Sequence, residues 1–218
     1  FDMYGGAITG NTASGGTADQ GGGGVFVSGG EFTMYGGEIA NNAATGYNAT
    51  CGGGVNVAAN GTFNMRGGTI GGEGKGNYAD NGGAVYVKNA TFNMSGDAAI
   101  IGNDARGSGA GVVLAGSVLE MSGSARIAGN TGYGVSVSFT DKGSSFTMSG
   151  SAAITGNTSG GVEMSSGGSK RLPSSFTVSG NVQITGNTKK DTPNNVYLEK
   201  VYDKEEVVTI TIGEGGLG

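Results

Sequence analysis

One short pattern recurs along the whole chain, and it limits the fold more than any other feature. The stretch SFTMSGSAAITGNTSGGVEM, Ser145 to Met164, is an uninterrupted copy: Phe146 and Met148, then Ile154, then Val162 and Met164, separated by Gly, Ser, Asn and Thr. Each apolar group alternates with polar residues over only a few positions, the period of a half-buried strand and not of a helix. The first anchor returns as Phe1, Phe32, Phe63, Phe92, Leu119, Phe146, Phe176 and Val208, with Met3, Met34, Met65, Met94, Met121, Met148, Val178 and Ile210 two residues on. The second strand is marked by Ile8, Ile39, Ile70, Ile100, Ile127, Ile154 and Ile184. The third runs through Val25/Val27, Val55/Val57, Val85/Val87, Val112/Leu114, Val135/Val137, Val162/Met164 and Val196/Leu198.

Self-similarity at a period of about 27 to 32 residues signals a solenoid. A single copy has too few apolar residues to bury a core, whereas stacked copies form columns of Phe, Met, Ile and Val along one axis. The expected fold is therefore all-β: a single-stranded parallel β-helix with three strands per turn and about seven turns, roughly 34 Å long at the usual strand spacing. Continuous repetition leaves no boundary, so residues 1–218 read as one domain.

The 49 glycines do not make the chain low-complexity, because they sit at fixed offsets from the apolar anchors. Two prolines and no three-residue glycine period exclude collagen. The net charge of −5, from 12 basic and 17 acidic residues, provides no basic stripe for nucleic acid. No apolar run is long enough to insert in a membrane, and no leader is read ahead of Phe1. Cys51 has no second cysteine to pair with and reads as a bystander thiol. Histidine is absent, which removes the commonest general base and transition-metal ligand. No catalytic, cofactor or metal residue is assigned.

Three residues after the second-strand isoleucine stands Asn11, Asn42, Asn103, Asn130, Asn157 or Asn187, with Glu73 the exception. Asparagine tolerates the left-handed backbone of a sharp corner and can bond its own kind one turn away. An internal asparagine ladder interrupted at Glu73 is expected. Glycine precedes the third strand in most copies, as at Gly54 and Gly134, where the backbone must turn or pass close to a neighbour. The positions between the third-strand anchors, Phe26, Asn56, Tyr86, Val113, Ser136, Glu163 and Tyr197, are expected to face outward, and Tyr4 to stack on Tyr35.

Loop length varies in an organised way. Long inserts precede the third strand early in the chain (Thr12 to Gly24, Ala43 to Gly54, Gly74 to Ala84); later the corner after it lengthens and brings Lys142, Lys170 and Arg171. Such insertions project from one edge, where repeat proteins usually bind. The early inserts carry Tyr47, Asn48, Tyr78, Asp80 and Asn81. An aromatic ring with amides and a carboxylate suits a sugar, whose apolar face stacks while its hydroxyls need partners. These five are the expected ligand contacts; the alternative is that the tyrosines pack over the rod.

The strings FTMSGSAAITGNT, GGGVFV, and NNVYLEK followed by VVTITIG resemble adhesin-like repeat regions of large bacterial surface proteins, which are right-handed parallel β-helices. Gly5-Gly6-Ala7-Ile8 is similar to the GGAI element of chlamydial polymorphic outer-membrane proteins, although the companion FxxN is FxM here. The resemblance implies right-handed winding, extracellular localisation (secreted or attached to the cell surface) and a non-catalytic structural or adhesion role. Partners would be glycan or a host or microbial surface protein, with no nucleic acid and no cofactor. The chain then reads as an excerpt of a longer repeat protein, monomeric or stacked end to end. Alternatives are a carbohydrate-active lyase or hydrolase, which needs grouped carboxylates or a metal with a basic residue, a head-to-tail filament, and ice binding through threonine ranks.

Overall fold

Alternating residues on a strand face opposite ways, so Phe-x-Met, a lone Ile and Val-x-Val can each bury one face if like strands from successive windings lie side by side. The computed structural model has this arrangement; it describes residues 1–14, 21–46, 50–107, 109–138, 140, 142–165, 174–198 and 209–217. Three long parallel sheets form a β-solenoid: eight strands built on the Phe-x-Met segments, seven on the isoleucine segments and seven on the Val-x-Val segments. No helix occurs among the described residues. Register follows the repeat, with Phe32 paired to Phe63, Ile70 to Ile100, and Val85 to Val112.

The buried apolar columns meet in one continuous core. Phe32, Phe63 and Phe92 lie in single file, their rings parallel and 4.9 and 4.8 Å apart, and Phe146 stacks on Phe176 at 4.6 Å. Leu119 separates the two stacks in the same column. The eighth winding differs from expectation by two residues: Phe176 pairs with Ile210 and Val178 with Ile212, so the anchors are not Val208 and Ile210. A slip of two keeps every side chain on its face, and the alternation alone therefore does not distinguish the registers.

The asparagine ladder runs unbroken, which corrects the expected gap at Glu73. Asn42 donates from Nδ2 to Asn77 Oδ1 at 3.1 Å, and Asn77 donates in turn to Asn103 at 2.9 Å. The file continues through Asn130, Asn157 and Asn187. Each amide from Asn42 to Asn187 also donates to the carbonyl of an isoleucine in the winding before it, as Asn77 does to Ile39. Glu73 is exposed on a small outward loop, held where Lys75 meets Glu38 at 3.1 Å. Burying its carboxylate in the file would cost several kcal/mol unless it were paired, on the order of other buried charges. At the other end Asn195 takes the last rung and accepts from Asn187 at 3.2 Å. It is brought there by a hairpin, Thr188–Lys189 against Thr192–Pro193, whose two turn residues Lys190 and Asp191 both have positive φ, as a type I′ turn requires.

A second internal file lies at the corner leading into the Phe-x-Met strands. Ala90 N donates to Ser117 Oγ, Ser117 N to Ser144 Oγ and Ser144 N to Ser174 Oγ, with all three serines buried. Glycine before the third strand answers close approach, not a left-handed backbone. A Cβ on Gly54 would stand 2.7 Å from the Ala84 carbonyl oxygen.

The three-strand description is incomplete for the early windings. Thr12–Ser14, Ala43–Thr45, Tyr78–Ala79 and Asp104–Ala105 form a fourth parallel sheet within the inserts. The glycines that follow fold back across the third-strand sheet. Asn56, Val113 and Ser136, expected to face outward, are consequently buried; a Cβ on Gly109 would meet Val113 Cγ2 at 2.5 Å.

Candidate functional site

The early inserts place part of the expected ligand-contact group on the fourth sheet. Tyr78 pairs with Ala43 on one side and Asp104 on the other. Its side chain stays 36% exposed, the one residue of the five that presents an aromatic surface among the described residues. Tyr47 and Asn48 lie outside the described residues.

Asp80 and Asn81 are engaged in holding the inserts together. Asp80 Oδ2 accepts from Thr50 N at 3.2 Å, and the Thr50 hydroxyl donates to the Ala44 carbonyl at 2.7 Å. Asp80 Oδ1 lies 4.0 Å from Arg106 Nη1, a side chain largely in solvent. Asn81 forms a parallel bridge with Cys51, its N donating to Thr50 O at 2.9 Å while Gly52 N donates to its carbonyl at 3.0 Å. Gly107 N bonds the Asp80 carbonyl at 2.8 Å, so three successive inserts are tied into one wall. The Asp80 carboxylate and the Asn81 backbone thus bond within the inserts.

Cys51 belongs to that wall. It is buried, and burial pushes its thiol up to about 11, an effect only partly offset by hydrogen bonds with Tyr86 and Asn81. A thiol held protonated at neutral pH is a poor nucleophile and metal ligand. Among the described residues no three His, Cys, Asp or Glu side chains gather as a metal site would need.

Two aromatic groupings stand elsewhere on the surface. Tyr4 stacks on Tyr35 at 4.7 Å as expected, and the Arg66 guanidinium continues the file 5.5 Å from the Tyr35 ring. The other grouping was not anticipated. Lys189 Nζ lies 5.5 Å from the Tyr133 ring centre and 5.3 Å from that of Tyr197, and donates to the Tyr133 hydroxyl at 3.1 Å. That hydrogen bond raises the lysine's affinity for its proton. Beside it opens a cavity of about 400 Å³ lined by Lys189, Lys190, Thr192, Pro193, Asn194 and Tyr197. Tyr133 and Lys189 are two windings apart, and Lys189 reaches Tyr133 from the hairpin; the two-residue turn at Lys190 and Asp191 was the available signal. Glu163, on the same face, accepts from Ser136 Oγ at 2.8 Å.

Scans of family models, curated proteins and solved structures return no match to this chain. The geometry is one continuous apolar core with chemically varied side chains at the inserts, at the hairpin and along the third-to-first corner.

Proposed function

We propose that the chain is a non-catalytic structural and adhesion module, extracellular and attached to a cell surface or secreted, that displays its loops to glycan or protein. The observation carrying this reading is the division of labour along the rod. The asparagine file and the phenylalanine stacks repeat with like partners from winding to winding, while loop length changes at the corners. A scaffold that holds its axis constant and varies its protrusions is suited to presenting contacts on a rigid support. The surface-protein repeats that FTMSGSAAITGNT resembles support the same reading. We take the winding to be right-handed with three principal faces, following the strong preference of parallel strand crossovers; an experimental density map that traces the corners checks the hand.

The test is binding of the purified chain to glycan arrays, mucin glycoproteins and surface-protein panels. In parallel, a variant has its Ala43 to Gly54 insert cut to the length of Thr158 to Gly161. Binding by the parent that the shortened variant loses, with strand content intact by circular dichroism, supports display. Binding to no glycan and no protein overturns it, and release of unsaturated uronides or new reducing ends from acidic polysaccharides would favour a carbohydrate-active enzyme.

A further inference from the structure

The hairpin of Thr188–Lys189 and Thr192–Pro193 does more than bring Asn195 to the ladder. Between it and Tyr197 lies the cavity of about 400 Å³, within the roughly 300–1,000 Å³ of small-ligand sites. Its walls are fixed at several points. Asn194 N donates to the Asn187 carbonyl and Asn194 Nδ2 to the Ser159 carbonyl, each at 2.9 Å. Lys189 donates to the Tyr133 hydroxyl at 3.1 Å, and its ammonium stands 5.3 Å from the centre of the Tyr197 ring. Gly160 leaves the room for this meeting: a Cβ there would stand 2.5 Å from Tyr133 Cε1 and 2.6 Å from Asn194 Nδ2. A cavity whose walls are held before a ligand arrives lowers the ordering cost of binding.

The lining joins apolar rings to neutral polar atoms. Tyr197, 40% exposed, and Pro193 supply the rings. Thr192 supplies a hydroxyl and Asn194 its Oδ1, and neither atom is taken up by a hydrogen bond among the described residues. The Lys189 ammonium is already held by Tyr133 and Tyr197, and Asp191 adjoins Lys190 in the turn, so recognition falls to the uncharged groups. A pyranose without charge has the matching combination: an apolar ring face for an aromatic side chain, and hydroxyls for an amide oxygen and a hydroxyl. A peptide added along the hairpin would instead need backbone donors, and Pro193 has no N–H to give.

We propose that the hairpin cavity is a subsite for an uncharged pyranose sugar, which stacks on the Tyr197 ring beside Pro193 and bonds Asn194 Oδ1 and the Thr192 hydroxyl. The assignment rests on the display reading and names the place and the class of glycan for one part of it.

Calorimetric titration of the whole chain tests it with three neutral probes, chitooligosaccharide, cellooligosaccharide and maltooligosaccharide, beside acidic oligogalacturonate and a proline-rich peptide. At least one neutral series should bind more tightly than the acidic one, with an affinity that does not fall as salt is raised, because no ion pair forms. Tyr197→Ala should lose about tenfold or more of that affinity, while Tyr197→Phe, which keeps the ring, should stay within about threefold of the parent. Circular dichroism checks that each variant is folded. If Tyr197→Ala does not fold, Pro193→Ala on the exposed hairpin decides, with an expected loss of about threefold or more. The assignment is overturned if no neutral sugar binds the parent, if the peptide binds in their place, if the acidic probe binds more tightly and with salt dependence, if folded Tyr197→Ala binds as the parent does, or if Tyr197→Phe loses as much as Tyr197→Ala. Should other glycans or proteins bind parent and Tyr197→Ala alike, the display reading stands while this site falls; binding to nothing at all removes both.

Discussion

Asn77 donates twice to one oxygen: its backbone N lies 3.0 Å and its Nδ2 2.9 Å from Asn103 Oδ1. The same double donation comes to Asn77 from Asn42 at 3.0 and 3.1 Å. Each rung therefore satisfies the winding behind it and depends on the winding ahead, so the file behaves as a single hydrogen-bonded chain in a low-dielectric interior.

Asn77→Ala should be among the most damaging polar substitutions in the molecule. It strands Asn42 N, takes from Asn42 Nδ2 one of its two acceptors and from the Ile39 carbonyl its side-chain donor, and at one to three kcal/mol for a buried unpaired group the combined loss should be roughly 3 kcal/mol. Glu73→Ala, on the exposed loop, should stay within about 0.5 kcal/mol. Urea unfolding of the two variants measures the difference; equal midpoints would return the rung to neither residue.

What could be read from the residues and what could not divides along a physical line. The phenylalanine column was legible because one residue type recurs at one offset from Phe32 to Phe92 and only stacking buries it. Asn77 was hidden because a four-residue loop moves it from the expected offset to seven residues past Ile70. A fixed spacing selected Glu73, whereas the cost of burying a carboxylate would have selected the next asparagine. The contacts that Asp80 and Asn81 make within the inserts were not legible, because composition shows donors and acceptors and not their partners. Thr50 and Cys51, thirty residues earlier, supply those partners only once the inserts lie side by side.

The wall of inserts should open when its pin is removed. Asp80→Ala leaves Thr50 N without its carboxylate acceptor, and the expected cost is about 1 kcal/mol. Faster hydrogen exchange should be confined to the amides of Thr50, Gly52 and Asn81. Arg106→Ala should change little, because that guanidinium is mostly in water and 4.0 Å from Asp80. Unaltered exchange in Asp80→Ala would release the carboxylate for ligand contact.

Alkaline pH should weaken the same wall through Cys51. Its thiol is raised by burial from 9.0 to about 11, so between those values the folded chain keeps a proton that the unfolded chain has lost. Bound protons are then fewer in the unfolded state, and stability falls as pH rises across that window; below pH 9 the contribution is fully present. The full difference corresponds to about 2–3 kcal/mol as an upper figure. Unfolding midpoints at pH 8, 9 and 10.5, compared with those of Cys51→Ala to subtract tyrosine and lysine titration, isolate it. Parallel pH profiles for the two proteins would refute the assignment.

The serine file gives a similar test at the opposite corner. Ser144 Oγ accepts from Ser117 N at 3.2 Å, and Ser144 N donates to Ser174 Oγ at 2.9 Å. Ser144→Ala keeps the second bond and deletes the first, leaving a buried amide that neither solvent nor the apolar core can satisfy, at a cost of about 1–3 kcal/mol. Ser145, the next residue, lies on a half-buried face, where its hydroxyl accepts from Ser175 Oγ at 3.3 Å. Ser145→Ala should therefore cost no more than about 0.5 kcal/mol. Both substitutions remove one hydroxyl at adjacent positions, so the change in side-chain volume cancels in the comparison. A smaller loss for Ser144→Ala than for Ser145→Ala in denaturant melts would mean that Ser117 N finds another acceptor, and that the corner is held by the neighbouring sheets instead of by its file of hydroxyls.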